Sequence, residues 1–327
     1  MAWIVFVASS AALVLAAVKM AQYGDVIAVR TRLGGMFVGV LLLAGATSLP
    51  ELLTTINSFG QGVPGLAAGN MLGSNMFNML LLAVLDLLNQ QARILRRVAM
   101  THALTAALAS AMIGLVVFFI LADIPLKIGW LGVDSLVLIV VYIAGIRLIQ
   151  QNGQASGTTV ELPADKPVMP LWRAAIGFVA ATAVLVVVTP WLVRSSTQIA
   201  EITGLGTGFV GTTLLAVVTS LPETVAAITA ARLGAYDMAV GNLFGSNVFN
   251  MFALGVSDLF YTPGRFLGVI DPAFALVGML GLLLTILALI GNIARVERRL
   301  IFVEADALLI TLVYMGGIYF LYARGIG

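Results

Sequence analysis

Two blocks of this chain repeat each other without a gap. Thr47-Ser48-Leu49-Pro50-Glu51, followed by Gly69-Asn70-Met71-Leu72-Gly73-Ser74-Asn75-Met76-Phe77-Asn78, returns as Thr219-Ser220-Leu221-Pro222-Glu223 and Gly241-Asn242-Leu243-Phe244-Gly245-Ser246-Asn247-Val248-Phe249-Asn250, every position shifted by 172. The match also takes in Ala28, Leu33, Gly34, Phe37, Val38 and Gly39 against Ala200, Leu205, Gly206, Phe209, Val210 and Gly211, and Asp86 against Asp258. A chain repeated in this way folds as two like halves. Any site built from the repeated residues is then formed twice, or shared where the halves meet.

The surroundings of the motifs decide the solvent. The 327 residues are 61% apolar and only 10% charged, with mean hydropathy +1.07, whereas a soluble domain carries roughly 25% charged residues. The chain is therefore an integral membrane protein. A span of the hydrocarbon core takes about 20 apolar residues, and ten such windows fit, near 3–20, 33–59, 65–88, 98–121, 131–150, 171–193, 205–231, 237–260, 272–293 and 303–323. The first window has no cleavage-like site and aligns with the sixth, so it reads as a helix rather than a signal peptide. The predicted fold is all-α and polytopic. Its parts are a first five-helix repeat over 1–150, a Gly/Ser/Thr/Pro-rich linker over 151–170 on the cytoplasmic side, and a second five-helix repeat over 171–327.

An odd number of spans per half means that the second half enters the membrane from the opposite face, so the repeats are inverted. With the N-terminus outside, the outer flanks hold four of the 17 Lys and Arg (Lys127, Arg194, Arg265 and Arg324) and the inner flanks the other thirteen. This satisfies the positive-inside rule and predicts a multi-pass protein of the cell (inner or plasma) membrane.

The repeated polar residues fall within apolar spans, where such groups are costly and mark ion or substrate paths. Pro50 and Pro222 lack an N–H and clash with the carbonyl one turn back. The helices should bend there, freeing the carbonyls of Ala46 and Val218 and letting those of Thr47 and Thr219 turn inward. Broken backbone at this depth is tolerated where it lines a cavity or is buried in protein. Glu51, Ser48, Thr47 and Ala44 share one helical face by their spacing, as do Glu223, Ser220, Thr219 and Ala216. No Lys or Arg lies near the middle of any span, so the two carboxylates need protons or bound cations. Asn70, Ser74 and Asn78 form a stripe, matched by Asn242, Ser246 and Asn250, and each offers neutral oxygen. Asn75 and Asn247 fall off the stripe and are expected to join helices. Gly69 with Gly73, and Gly241 with Gly245, are small-xxx-small pairs that permit close helix approach.

The donor set is all oxygen. Ca²⁺ takes six to eight such ligands in flexible geometry. The chain has no cysteine and one histidine, His102, which argues against zinc, copper and iron and excludes disulfides. Two fixed negative charges are balanced by one Ca²⁺ or by two or more Na⁺.

At these residues the chain resembles the sodium/calcium exchanger family of the wider cation/Ca²⁺ antiporter superfamily, in the form without a soluble regulatory domain. The resemblance spans nearly the whole chain, through both motifs, each present twice and in order. It implies that Glu51, Glu223 and the carbonyls of Thr47 and Thr219 bind Ca²⁺. It further implies that Ser48, Ser74, Ser220, Ser246 and the carbonyls of Ala44 and Ala216 complete the Na⁺ sites. Asn78 and Asn250 join the expected ligand set from the stripe. The implied activity is alternating-access antiport of roughly three Na⁺ per Ca²⁺, with no cofactor, no enzymatic step, no nucleic acid and no obligate protein partner; the lipid bilayer and the two ions are the partners. The chain departs from the family pattern at Ala46 and Val218, where Gly is usual. It also departs in carrying Asn at both 78 and 250, where some relatives have one Asp, so the central charge is about −2 and K⁺ dependence is not expected. Ca²⁺/H⁺ exchange on the same fold is the alternative. Of the remaining polar residues, Asp86 and Asp258 are expected to cap or salt-bridge, Asp134 to mark the start of the fifth helix, and His102 to lie at the membrane interface.

Overall fold

The structure is a computed structural model that describes residues 1–31, 44–88, 99–155, 169–294, 299–300 and 303–325. Most of the linker 151–170, the first part of the second window, and the charged residues Arg93, Arg96, Arg97, Arg295 and Arg298 lie outside the described residues.

The helices are α1 (Ala2–Thr31), α2 (Leu49–Gly60), α3 (Pro64–Leu88), α4 (Ala99–Ala122) and α5 (Val133–Ala155) in the first half. The second half contains α6 (Leu171–Thr203), α7 (Thr207–Thr219), α8 (Leu221–Arg232), α9 (Tyr236–Ser257), α10 (Phe274–Ala294) and α11 (Ala305–Arg324). Eight of these are long and apolar enough to cross a membrane, and α7 with α8 forms a ninth span bent by 43°. Residues 44–47 are helical and lead into α2 across a turn at Ser48. The protein is thus a ten-helix, multi-pass membrane protein built from two inverted five-helix repeats. The first and sixth spans are longer than their windows, ending at Thr31 and Thr203.

The repeat extends to features with no apolar signal. A two-residue hairpin precedes α5, with β1 (Lys127–Ile128) antiparallel to β2 (Leu131–Gly132). Another precedes α11, with β3 (Arg299–Leu300) antiparallel to β4 (Val303–Glu304). Each residue of the first hairpin matches one of the second at the same 172-residue shift.

Two packing units position the site. Helices α1 and α6 run along each other and form one apolar cluster, centred on Leu13, Ala17, Met20, Leu185 and Leu192. A larger cluster joins α3, α4, α9 and α10 through Met71, Met76, Met112, Phe244, Met251 and Phe274. Between them, α3 approaches α7 so closely that a Cβ at Gly69 or Gly73 would overlap the backbone around Thr212. Gly211 meets Leu66 in the same way. The turn of α7 at this contact, Gly211–Leu215, is π-helical, a local widening frequent at functional sites. Helix α2 is held at its far end by Phe59, whose ring lies edge-on to Phe266 at 4.6 Å. On its other face Asn57 Nδ2 donates to Thr189 Oγ1 of α6 at 2.9 Å.

Candidate cation-binding site

The site begins with two prolines. Pro50 and Pro222 occupy the first turn of α2 and α8, where a missing N–H leaves no bond unmade. The residues before those helices, Ser48 and Ser220, leave helical geometry (φ −90°, ψ 6° and φ −87°, ψ 6°). Each helical segment therefore breaks at a serine, and a new helix starts within the apolar stretch with its glutamate in the first turn. Helix starts carry partial positive charge that favours an anion. The carbonyls of Ala44 and Ala216 accept the amide N–H of Ser48 and Ser220 at 3.0 and 3.1 Å. The Thr47 hydroxyl also reaches Ala44 O, at 3.1 Å.

Glu51 and Glu223 are both fully buried, at 0% exposure. Among the described residues neither pairs with a Lys or Arg. Their hydroxyl partners come from the opposite repeat: Ser48 Oγ donates to Glu223 Oε1 at 2.7 Å, and Ser220 Oγ donates to Glu51 Oε1 at 3.1 Å. Ser246 Oγ adds a bond to Glu223 Oε1 at 3.3 Å. Its counterpart Ser74 turns instead to the Ala216 carbonyl and the Thr219 hydroxyl, both at 3.5 Å. The second oxygen of each carboxylate, Glu51 Oε2 and Glu223 Oε2, has no hydrogen-bond partner among the described residues.

Four asparagines close a ring across the repeat axis. Asn78 Nδ2 donates to Asn247 Oδ1 and Asn250 Nδ2 to Asn75 Oδ1, each at 3.0 Å. Asn247 Nδ2 donates to the Asn75 carbonyl at 3.2 Å, and Asn75 Nδ2 to the Asn247 carbonyl at 3.5 Å. Asn75 and Asn247 thus join helices, as their place off the stripe indicates. Asn78 and Asn250 spend their N–H groups on this ring, and their Oδ1 atoms are left without partners among the described residues. The structure accordingly brings together Thr47, Ser48, Glu51, Ser74, Asn78, Thr219, Ser220, Glu223, Ser246 and Asn250, with Ala44 and Ala216 one turn before the breaks. All except Ala44 and Ala216 are buried polar residues, and those two are buried as well.

Sequence reasoning missed Thr54, whose hydroxyl accepts from Asn70 Nδ2 at 2.9 Å. It lies one turn after Glu51, and that spacing was the available signal. It also missed a polar cluster at one end of the bundle. There Arg265 Nη1 donates to Asp134 Oδ2 at 2.9 Å and Nη2 pairs with Asp123. Asp258 accepts the N–H of Gly132 at 2.8 Å and of Phe266 at 2.6 Å. Asp258 caps backbone, as expected, and Asp134 stands in the first turn of α5. His102, near the start of α4, is buried at 7% exposure, with Nε2 3.9 Å from Asp237 Oδ1. The packing of α9 against α4 covers it.

The family model described as sodium/calcium exchanger protein matches residues 1–149 and 173–323. Over 84 residues the chain is 45% identical to the sodium/calcium exchanger MaX1 of Methanosarcina acetivorans, covering 25% of this chain and 24% of that one. Among solved structures, an H⁺/Ca²⁺ exchanger CAX superposes with TM-score 0.74 at 16% identity, covering 99% of this chain and 85% of the other. The sodium-calcium exchanger NCX_Mj superposes with TM-score 0.60 at 20% identity, covering 97% of each chain.

Proposed function

The chain belongs to the sodium/calcium exchanger protein family, a family of cation/Ca²⁺ antiporters and not of enzymes, and on that premise we propose that it exchanges Na⁺ for Ca²⁺ by alternating access. The observation that carries the reading is that the second oxygen of each motif glutamate, Glu51 Oε2 and Glu223 Oε2, is buried without a protein partner among the described residues, as are the motif oxygens Asn78 Oδ1 and Asn250 Oδ1. All four belong to residues of the repeated motifs. Buried polar atoms are nearly always hydrogen-bonded, and buried carboxylate and amide oxygens that meet no donor suit a hard cation.

Glu51 and Glu223 supply the charge, and the Thr47 and Thr219 carbonyls complete a Ca²⁺ cage. Ser48, Ser74, Ser220, Ser246 and the Ala44 and Ala216 carbonyls divide the same space into smaller Na⁺ sites. One Ca²⁺ or several Na⁺ satisfy the two charges, so one cavity serves both ions in turn. The halves 1–150 and 171–327 act as the inverted repeats, the N-terminus faces outward, and the protein resides in the cell membrane. With three Na⁺ per Ca²⁺ one net charge crosses per cycle, worth about 2.3 kcal/mol per 100 mV. A polarised membrane then drives Ca²⁺ outward.

The alternative, Ca²⁺/H⁺ exchange, shares the fold. The Thr-Ser-Leu-Pro-Glu word around each glutamate favours sodium; the oxygen lining itself serves Ca²⁺ in either reading. Reconstituted vesicles with internal and external pH clamped decide between them. Uptake of ⁴⁵Ca²⁺ driven by an outward Na⁺ gradient is expected; uptake that follows only an imposed pH gradient would overturn the sodium reading.

A further inference from the structure

The two halves of the site are not equally bonded. In the first repeat, Asn70 Nδ2 donates to Thr54 Oγ1 at 2.9 Å and to the Glu51 carbonyl at 3.4 Å. Asn70 Oδ1 accepts the Thr219 hydroxyl at 2.9 Å. The amide is satisfied at both ends and ties α3 to α2 on one side and to α7 on the other. Asn242 is its counterpart, in the same motif and as deeply placed, at 1% exposure. Yet neither its Nδ2 nor its Oδ1 has a hydrogen-bond partner among the described residues.

Two features account for the difference. The position that matches Thr54 is Ala226, so the hydroxyl that would meet Nδ2 does not exist. Thr47, which matches Thr219, turns its hydroxyl to its own helix at Ala44 O. Helix α8 nevertheless packs on α9 as α2 packs on α3, so the amide stays enclosed. A buried amide unmet at both ends is a costly arrangement. A bare cation does not relieve it, because the N–H groups repel positive charge. Water does, being donor and acceptor at once. Replacing a threonine side chain with alanine removes a hydroxyl and a methyl, which leaves room for about one water.

We propose that Asn242 binds a water molecule in the place that the Thr54 hydroxyl fills for Asn70. Such a water needs two to four polar partners. Asn242 supplies two, its Nδ2 and Oδ1. For what this water does to the ion, the inference rests on the exchange reading above. A cation bound at the motif glutamates then meets a water-bonded amide on the Asn242 side and a protein-bonded amide on the Asn70 side, so the two flanks are unequal despite identical motifs.

The test uses the full-length protein in detergent with three sequences: wild type, Ala226→Thr and Thr54→Ala. A high-resolution structure of the wild type should show a water within hydrogen-bond distance of both Asn242 Nδ2 and Oδ1. In Ala226→Thr the hydroxyl should replace it, and in Thr54→Ala a new water should stand beside Asn70. Thermal unfolding without added Na⁺ or Ca²⁺ should rise for Ala226→Thr and fall for Thr54→Ala. A wild-type map in which Asn242 bonds protein groups with no water beside it would overturn the proposal. So would a lowered melting temperature for an Ala226→Thr protein that is folded and monodisperse. Neither readout requires transport, so failure here is distinguishable from failure of the exchange reading.

Discussion

Ser48 and Glu223 lie 175 residues apart in the chain, and the serine hydroxyl donates to the glutamate Oε1 at 2.7 Å. Ser220 returns the bond to Glu51 at 3.1 Å. Each motif therefore completes the other repeat's carboxylate, although Ser48 and Glu51 stand one helical turn apart. The crossing couples the two breaks, so neither helix start can shift without disturbing both glutamates. A hydrogen bond to a charged group contributes about 1.5–3 kcal/mol. Ser48→Ala should thus weaken Ca²⁺ binding about tenfold or more, and a double-mutant cycle should show strong coupling of Ser48 to Glu223 and weak coupling to Glu51. Equilibrium ⁴⁵Ca²⁺ binding to the four variants of each cycle reads this directly. Equal coupling to both glutamates would contradict the crossed arrangement.

Neutralising either carboxylate tests the site as a whole. Glu51→Gln and Glu223→Gln keep the shape and remove the charge. Na⁺-driven Ca²⁺ flux is expected to fall to background in both variants. Folding should survive, because Gln keeps the shape of the side chain and burying a neutral amide costs less than burying a charge. Size-exclusion profiles and melting temperatures should match or exceed those of the wild type. Flux at the wild-type rate would remove Glu51 and Glu223 from the ion path.

The contact of α3 with the π-turn of α7 is testable by adding one methyl group. A Cβ at Gly73 would overlap the Thr212 backbone, whereas one at Gly316 meets nothing within 4 Å. Overpacking a tight contact costs about 1–3 kcal/mol. Gly73→Ala should therefore lower the melting temperature and the yield, and Gly316→Ala should change neither. Because the same contact positions Thr219 and Asn70, residual Gly73→Ala protein should also bind Ca²⁺ more weakly.

Arg265 holds a buried carboxylate at the end of the bundle. The Asp134 side chain is 1% exposed and depends on Arg265 Nη1. Removing one partner of a buried pair leaves an uncompensated charge and costs about 3–5 kcal/mol. Arg265→Ala should destabilise the protein far more than Asp123→Ala, whose carboxylate is 69% exposed. Thermal unfolding of the two variants side by side measures the difference. The double variant Arg265→Ala/Asp134→Asn should recover part of the loss.

Much of the site was legible before folding. Glu51, Ser48 and Thr47 share a face because helical spacing puts them there, and Pro50 announces the break beside them. Asn75 and Asn247 were separable from the ligand stripe by one position of phase. Other features left a fainter trace. The hairpins at Lys127–Gly132 and Arg299–Glu304 keep the repeat shift, but no apolar period marks them. Arg265, Asp134 and Asp258 have repeat counterparts in Arg93, Asp306 and Asp86, a pattern visible only when the shift is applied to charged residues outside the motifs.

By itself the sequence determined that the chain crosses a membrane about ten times, that its halves are inverted copies, and that two carboxylates sit at depth among hydroxyls and amides. Those properties follow from local periodicity and from the cost of polar groups in hydrocarbon, which act residue by residue along the chain. The tertiary structure alone decided that Ser48 serves Glu223 rather than its own neighbour, that Ser246 reaches a carboxylate while Ser74 does not, and that Asn70 is satisfied where Asn242 is not. Identical motifs impose identical local geometry, but partners far apart in sequence meet only through the packing of two interlocked halves. That packing senses a single departure from the repeat, such as Ala226 opposite Thr54.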